Sequence, residues 1–253
     1  MFSARTEYPA GKRTLLLTGA SRGIGHATVK RFLEDGWHIL TISRQPFAEN
    51  CPWKAGPENH IQLDLADVGN VVHKIPDIRR RLPDGKLHAL VNNAAISPKS
   101  AGGGRFGTFD TELSRWQHVF NVNFFATLAL AQGLKDELIA AQGTIINVTS
   151  IAGTRVHPFA GSAYATSKAA LAALTRELAA DFGPHGVRVN AIAPGEIDTS
   201  ILSPGTERIV ESAIPMRRLG SPAEVADTIF FLCSQAASYI NGAEIHINGG
   251  QHI

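Results

Sequence analysis

Short apolar runs alternate with longer helical patterns along the chain. Seven runs rich in branched aliphatic residues predict strands, at Thr14–Thr18, His38–Ile42, His60–Leu63, Leu87–Asn92, Gly143–Thr149, Arg188–Ala193 and Glu244–Ile247. Most of them are nearly continuously apolar rather than alternating, which is typical of strands that are covered on both faces. The pattern therefore indicates a buried parallel sheet.

Helical patterns lie between these strands. Ile24–Asp35 carries apolar residues at helical spacing and is followed by a glycine, and Ala163–Phe182 ends at a glycine-proline pair. Pro222–Cys233 is preceded by Ser221 and contains Glu224, which together make a capping box. Strands that alternate with helices form βαβ units with right-handed crossovers.

Length and composition fit one domain of this kind. The chain has 253 residues, of which 44% are hydrophobic and 18% charged, and this balance excludes intrinsic disorder. We expect a single doubly wound α/β domain, a Rossmann fold over residues 1–253, with helices on both faces of a mostly parallel seven-stranded sheet. Residues 1–12 are expected to form a flexible N-terminal extension. Ligands of such sheets bind at the carboxyl ends of the strands.

Charge and cysteine content exclude other classes of protein. Lys and Arg number 24 against 22 Asp and Glu, so a net charge of +2 gives no basis for nucleic-acid binding. Cys51 and Cys233 form no disulfide framework and suit a reducing compartment. No secretory signal, membrane span or metal-binding histidine motif is recognisable. We expect a cytoplasmic protein with no metal, membrane or nucleic-acid partner.

Two segments are predicted to be loops. Ser97–Gly107 contains three successive glycines, and Ile201–Pro215 lies between a proline-glycine turn and another proline. Loops carry binding function in doubly wound folds. Each segment either closes over a substrate or is an ordinary surface loop, and the sequence leaves both readings open.

A glycine-rich turn, TGASRGIG at residues 18–25, joins the first predicted strand to the first helix. Glycine lets the backbone approach a pyrophosphate, and a helix N-terminus offers free N–H groups and a positive dipole end. A tight strand–helix turn without a ligand has a similar sequence. If the turn binds a dinucleotide, the residues predicted to contact it are Gly19, Ser21, Arg22, Gly23, Ile24 and Gly25.

The second strand ends at Ser43 and Arg44, where an acidic residue would favour NAD. A planar guanidinium pairs well with phosphate oxygens. Arg44 and Arg22 either hold the 2′-phosphate of NADP(H) or are two solvated surface arginines. Because both fall near one predicted phosphate, we expect NADP(H) as the cofactor.

Tyr164 and Lys168 are four residues apart on a predicted helix, so the phenol and the ammonium share one face. A nearby ammonium favours the phenolate and lowers the phenol pKa. Ser150 follows a strand end, where its hydroxyl can hold a carbonyl oxygen or cap a turn. Tyr-x-x-x-Lys alone is a common pattern, so the candidate site depends on all three residues meeting.

In this order, the motifs resemble the short-chain dehydrogenase/reductase family, in its compact one-domain form. The resemblance runs from Thr14 to Gly250 and rests on the TGASRGIG turn, Asp64, NNAA at 92–95, Asn123, Ser150, YATSK at 164–168, RVNAIAPGEIDT at 188–199 and INGAEIHINGG at 240–250.

The resemblance implies specific roles. Tyr164 is the general acid/base, Lys168 lowers its pKa and binds the nicotinamide ribose, and Ser150 positions the substrate oxygen. Asn123, chosen over Asn121 by its place in the family pattern, holds a water of a proton relay. The further cofactor contacts implied are Asp64, Leu65, Asn92, Ala94, Pro194, Gly195, Ile197 and Thr199, together with Tyr164 and Lys168. Three of these have other readings: Asp64 as a helix cap, Asn92 as a strand support and Thr199 as a loop residue.

The chain departs from the family pattern at two places. Ala95 stands where glycine is usual, and the interval from Ser150 to Tyr164, 14 positions, is slightly long. The inserted residue is expected in the loop 155–161, which makes Val156 and Pro158 pocket candidates as well. With this loop, the predicted substrate pocket comprises Ile96, Ser150, His157, Phe159 and Tyr164. His157 is either a contact for a polar substrate group or a plain surface residue.

The resemblance implies an NADPH-dependent carbonyl reductase that acts on a small carbonyl or alcohol, or on an acyl-carrier substrate. The chain is similar to 3-oxoacyl-[acyl-carrier-protein] reductases, and this similarity would place the protein in fatty acid biosynthesis. An alcohol, sugar or steroid-type dehydrogenase and a non-catalytic NADP-binding regulator are the alternatives. A homo-oligomer, tetramer or dimer, is expected, with the Ala-rich helix at 163–182 either at the interface or packed on the sheet.

Overall fold

The structure is a computed structural model that describes residues 12–47, 56–100, 102–199, 202 and 205–253. The predicted N-terminal extension, residues 1–12, lies outside this range except for its last residue, and so does Cys51. Part of the predicted loop Ile201–Pro215 also lies outside it.

Seven strands form one parallel sheet in the order β3-β2-β1-β4-β5-β6-β7. Their bounds are β1 Thr14–Thr18, β2 His38–Ser43, β3 His60–Gln62, β4 Ala89–Asn92, β5 Thr144–Val148, β6 Arg188–Pro194 and β7 Glu244–Ile247. The predicted single-domain, seven-stranded Rossmann fold is confirmed. The apolar run at 87–92 pairs only from Ala89 onward.

Eight α-helices connect and cover the strands within the described residues. They are α1 Gly23–Glu34, α2 Val68–Arg80, α3 Leu113–Phe120, α4 Ala126–Gly133, α5 Lys135–Ala141, α6 Ser162–Phe182, α7 Thr206–Ala213 and α8 Pro222–Leu232. A π-helical turn, Asn121–Phe125, joins α3 to α4. The capping box of α8 forms as predicted, because the Ser221 hydroxyl accepts from Glu224 N while the Glu224 carboxylate accepts from Ser221 N.

The continuous apolar strands have a simple cause, which β1 illustrates. Leu15 and Leu17 join one core with Phe32 of α1 and Ile229 of α8. Leu16 points to the other core, which α2, α4 and α6 cover. Successive strand residues face opposite sides, so both sets must be apolar. Each fully buried Leu contributes about 1.5–3 kcal/mol relative to exposure.

The strand order reverses at β1, which has β2 on one side and β4 on the other. The chain leaves the carboxyl ends of β1 and β4 in opposite directions, which opens a crevice at that edge of the sheet. The turn after β1 and the loop after β4 consequently border the same space. No helix in the described part of the chain has the length and apolar character that crossing a bilayer requires.

The two predicted loops are more ordered than their composition indicates. Lys99 and Arg105 form an antiparallel bridge, so the described part of the glycine-rich segment is a short hairpin. The second segment contains α7, which the sequence pattern did not reveal. Its eight residues are amphipathic, but the Pro-Gly pair before them and the proline after them favour a loop.

Candidate active site

A cavity of about 640 Å³ opens at the carboxyl edge of the sheet, over the crevice between β1 and β4. Most predicted site residues line it: Gly19, Ser21, Arg22, Gly23, Ile24, Ser43, Arg44, Asp64, Leu65, Ala94, Ile96, Ser150, His157, Phe159, Tyr164, Lys168, Pro194, Gly195, Ile197 and Thr199. Five predicted residues do not line it, namely Gly25, Asn92, Asn123, Val156 and Pro158, and the last two are exposed to solvent. The structure therefore brings the glycine turn to the same cavity as Tyr164, Ser150 and Lys168.

The glycine turn is shaped by its backbone. Gly19 and Gly23 have φ angles of +74° and +56°, a region that favours glycine. The side chain of Asn93 holds the turn, because its Nδ2 donates to Thr18 O at 3.1 Å and to Gly19 O at 3.0 Å. Helix α1 begins after Arg22 with no side-chain cap and no acidic residue in its first turn. Its N–H groups are thus suited to an anionic ligand.

Gly25 acts through close packing rather than by lining the cavity. A Cβ atom built on Gly25 would lie 2.1 Å from Gly19 O and 2.7 Å from Asn93 Nδ2. Any side chain here would push the turn away from the helix. Gly25 therefore sets the shape of the turn that borders the cavity.

One end of the cavity is basic and polar. Ser43, Arg44 and Arg22 line it, and both arginines are exposed. Within the described residues neither guanidinium pairs with a carboxylate. Asp64 lines the same end, and its Oδ1 accepts from Ala66 N at 2.9 Å, so it braces a turn as well. Asp67, not Asp64, caps α2.

Tyr164 and Lys168 lie on α6, and Ser150 follows β5. Ser150 both caps a 3-10 turn, accepting from Ala152 N at 3.2 Å, and hydrogen-bonds the Tyr164 phenol. Lys168 is 2% exposed, and its Nζ donates to Val148 O at 2.6 Å. These three side chains meet at the cavity wall, as the sequence predicted.

The electrostatics of this group differ from expectation. We expected Lys168 to lower the pKa of Tyr164. In the structure, burial raises the pKa of Tyr164, the hydrogen bond with Ser150 opposes this, and the charge of Glu196 raises it further. Burial also lowers the pKa of Lys168 to about 7. Desolvation disfavours the charged forms of both groups and outweighs the attraction that the four-residue spacing suggested.

Asn123 sits in the π-helical turn and is 1% exposed. Its Oδ1 accepts from Ile96 N at 2.9 Å, and its Nδ2 donates to Ile96 O at 3.1 Å and to Ser167 Oγ at 3.0 Å. Asn123 thus ties the loop after β4 to the helix that carries Tyr164. The side chain of Asn121, the candidate not chosen, donates from its Nδ2 to Ala66 O.

Asn92 is placed in the sheet rather than at the cavity. It is 3% exposed, and its Nδ2 donates to Asn147 Oδ1 at 2.9 Å, which links β4 to β5. Of its two predicted roles, the structure places it for strand support. The next residue, Asn93, lines the cavity in its stead because it has left the strand.

Another part of the cavity wall is formed by the segment after β6. A Cβ atom on Gly195 would lie 2.6 Å from Asn248 Cβ, so a larger residue does not fit. Ile197 forms a bridge with Gly220, which fixes the path of the segment. Glu196 lies between Gly195 and Ile197 in the sequence and lines the cavity, and Lys99 lines it too. Sequence reasoning passed over Glu196, although its place directly after a strand end was an available signal.

The described residues contain no group of three or more His, Cys, Asp or Glu side chains placed to hold a metal ion. The cavity suits a dinucleotide, because the residues at the uncapped helix N-terminus, the positive-φ glycines and the arginines all line it. Cys233 lies elsewhere, in the core, where burial raises the pKa of its thiol to about 12.

Comparison with known proteins adds relatives across nearly the full chain. A family model described as enoyl-(acyl carrier protein) reductase matches residues 19–252. Protein FixR of Bradyrhizobium diazoefficiens is 61% identical over 242 residues, which cover 95% of this chain and 87% of that protein. The 3-oxoacyl-[acyl-carrier-protein] reductase FabG of Aquifex aeolicus is 33% identical over 249 residues, covering 93% and 95%.

Solved structures agree with the fold. An oxidoreductase of the short-chain dehydrogenase/reductase family from Brucella ovis, in complex with a partially ordered NAD, is 60% identical and superposes with a TM-score of 0.82, covering 94% of this chain and 100% of that one. A 3-oxoacyl-[acyl-carrier protein] reductase from Brucella melitensis with bound NAD is 31% identical, with a TM-score of 0.84 over 96% and 92%. The chain therefore belongs to the short-chain dehydrogenase/reductase family and is one of its nicotinamide-dependent oxidoreductases.

Proposed function

We propose that this chain is an NADP(H)-dependent oxidoreductase that reduces a carbonyl group to a hydroxyl, and runs the same step in reverse. The observation that carries this proposal is that Tyr164, Ser150 and Lys168 line the same cavity as the glycine turn. A proton donor and a dinucleotide cradle in one space are what carbonyl reduction requires.

The cofactor would lie along the wall that the structure lines with glycines and arginines. The turn residues 19–25 would receive the pyrophosphate, Asp64 and Leu65 would contact the adenine, and Ala94 would pack nearby. Pro194, Gly195, Ile197 and Thr199 would surround the nicotinamide. When bound, the nicotinamide supplies or accepts a hydride, which this chain's side chains cannot do.

The side chains handle the proton and the substrate oxygen. Tyr164, with its pKa raised by burial, is a neutral phenol at physiological pH and can donate its proton to the oxygen. Ser150 hydrogen-bonds this phenol and would hold the same oxygen. Lys168 would bind the nicotinamide ribose, and Asn123 would support a relay that returns a proton to Lys168. Such acid catalysis contributes typically about 10²–10⁴-fold.

The preference for NADP(H) over NAD(H) is supported by the end of β2. Ser43, Arg44 and Gln45 line the cavity there, with no carboxylate among them to accept from a ribose hydroxyl. Arg44 and Arg22 present exposed guanidinium groups at that end. The two Brucella relatives were solved with NAD, and kinetics with NADPH and NADH decide between the two cofactors.

A second candidate substrate is a 3-oxoacyl thioester. It is supported by the 33% identity to the 3-oxoacyl-[acyl-carrier-protein] reductase of Aquifex aeolicus over nearly the full length of both chains.

We further propose that the protein is a cytoplasmic homo-oligomer, either a dimer or a tetramer. The outward face of α6 supports it, because Ala169, Ala173 and Ala180 are exposed there and permit close approach.

The test is a panel of carbonyl compounds, including an acetoacetyl thioester, followed by the absorbance of NADPH. Tyr164→Phe should lose most of kcat, about 10²-fold or more, while NADPH binding measured by fluorescence survives. Tyr239→Phe is the matched control, because Tyr239 is fully exposed. Near-normal turnover by Tyr164→Phe contradicts the assignment. Wild-type protein that binds NADPH but reduces nothing on the panel is instead a non-catalytic regulator.

A further inference from the structure

Three polar side chains from separate segments meet at the end of the cavity that holds Tyr164. Glu196 follows the Pro-Gly pair at the end of β6, His157 comes from the loop before α6, and Lys99 comes from the hairpin after β4. All three line the cavity together with Ser150 and Tyr164. The catalytic steps proposed above use none of them.

His157 holds Glu196 in one defined arrangement. The imidazole Nε2 lies 2.6 Å from Glu196 Oε1, and each side chain is about a tenth exposed, 11% and 10%. Phe159 N–H donates to His157 Nδ1 at 3.3 Å, so Nδ1 is an acceptor. The ring proton is therefore on Nε2, which donates it to the carboxylate. In this arrangement His157 donates a hydrogen bond to Glu196 without bringing a positive charge to it.

The carboxylate has capacity left after this bond. A carboxylate has about four acceptor positions, and among the described residues His157 supplies the only side-chain hydrogen bond to it. Lys99 Nζ donates to the Phe159 carbonyl oxygen rather than to Glu196. Burial lowers the pKa of Lys99 while the charge of Glu196 raises it, so the two groups interact without pairing.

The charge of Glu196 also reaches the phenol, because it raises the pKa of Tyr164. Because Glu196 and Tyr164 line the same cavity, a substrate held at Tyr164 shares that space with this carboxylate. An apolar substrate group would desolvate the carboxylate without replacing its water, which is costly. A hydroxyl or ammonium group would donate to it and satisfy it.

We propose that Glu196, positioned by His157, determines substrate specificity by accepting a hydrogen bond from a hydroxyl or ammonium group close to the reacting carbon. This inference rests on the proposed function, since it needs turnover at Tyr164. It favours a small polyfunctional alcohol or carbonyl compound over the acyl chain of the second candidate substrate.

Matched alcohols of nearly equal size test it with NADP⁺ in the oxidation direction. One series is 2-butanol, 1,2-propanediol and 1-amino-2-propanol, and the other, one carbon longer, is 2-pentanol, 1,3-butanediol and 4-amino-2-butanol. In at least one series the wild-type protein should show a kcat/KM about tenfold or more higher for a donor-bearing alcohol than for the plain alkanol. The hydroxyl and amino members decide which donor Glu196 accepts.

The variants separate specificity from general damage. Glu196→Leu should bring the ratio of kcat/KM for the donor-bearing alcohol to that for the plain alkanol down to about one. Glu196→Gln should lower this ratio about tenfold for an ammonium substrate. It should lower the ratio less for a hydroxyl substrate, because the amide oxygen still accepts. His157→Phe should lower the same ratio, whereas His157→Gln should preserve part of it. Glu34→Gln, which removes an exposed carboxylate on α1, is the control. Thermal melting with NADP⁺ verifies that each variant folds.

The outcomes are distinguishable. Equal kcat/KM across both series, or a preference that survives Glu196→Leu, overturns the role of Glu196 and leaves the proposed function intact. Turnover of none of the six alcohols by the wild-type protein, together with no activity on the carbonyl panel, overturns the proposed function and this inference with it. Preference for the plain alkanols overturns the inference alone.

Discussion

The ammonium nitrogen of Lys168 lies 5.7 Å from the centre of the Tyr164 ring, one turn along the same helix. Lys168 is buried and Tyr164 is half-buried at the cavity wall, and desolvation lowers the pKa of Lys168 to about 7 and raises that of Tyr164. The uncharged form of each is therefore favoured. A phenol of ordinary pKa is already neutral at pH 7, so burial keeps Tyr164 in the form that can give a proton to a substrate oxygen but makes it a weaker acid.

The lowered pKa of Lys168 predicts a pH-dependent stability. The folded pKa of about 7 is below the ordinary value of 10.5, so between these values the unfolded chain binds more protons. The free energy of unfolding should rise with pH across this window, by at most about 1.4 kcal/mol per pH unit. The penalty for burying the charge is full below the folded pKa and is relieved above the unfolded one.

Lys168→Met removes this penalty and keeps an apolar side chain of similar length. The variant without added cofactor should be more stable than the wild-type protein at about pH 6, and the difference should narrow as pH rises toward 10. Denaturant unfolding at a series of pH values measures it. Lys135→Met, at an exposed position of α5, is the control. A difference that is constant with pH contradicts the lowered pKa.

The fold could be predicted because its signal is local. The five inner strands show their two buried faces as an apolar run, as in Leu15–Leu17 of β1. The three helices that were delimited differ from the structure by one residue at each displaced end. Helix α7 was missed because it is short and lies between proline and glycine residues that favour a loop.

The site was predictable only where a motif carries it. Glu196 and His157 are 39 residues apart, and a single carboxylate in a Pro-Gly turn has no sequence pattern that reveals its partner. The effect of Lys168 on Tyr164 was predicted from spacing alone. Spacing gives the shared helix face, but the sign of the pKa shift depends on how much water the surrounding strands exclude.

Arg44→Ala tests the proposed cofactor preference. If Arg44 pairs with the 2′-phosphate, the KM for NADPH should rise about tenfold or more, while the KM for NADH should change less than about threefold. Steady-state kinetics with both cofactors measure the two ratios. Arg80→Ala, which removes an exposed arginine paired with Asp77, is the control. An equal rise in both KM values, or a wild-type preference for NADH, contradicts the NADP(H) assignment.

Asn123 and Asn121 offer a matched pair, because they are two residues apart in the same π-helical turn. Asn123→Ala deletes three hydrogen bonds and leaves the N–H and carbonyl of Ile96 without this partner. Each buried group left unsatisfied costs about 1–3 kcal/mol. Asn121→Ala deletes one partly buried bond to Ala66, so it should cost about 1 kcal/mol.

Denaturant unfolding and kcat, measured on both variants, separate the two roles of Asn123. We expect Asn123→Ala to lower the free energy of unfolding by several times the loss in Asn121→Ala, and to lower kcat because the loop after β4 is no longer tied to Ser167 on α6. If Asn123 also supports a proton relay, Asn123→Ala should change the pH profile of kcat, which a loss of packing alone would not do. If Asn121→Ala alters kcat more than Asn123→Ala does, the relay belongs to Asn121 and the assignment from the family pattern is wrong.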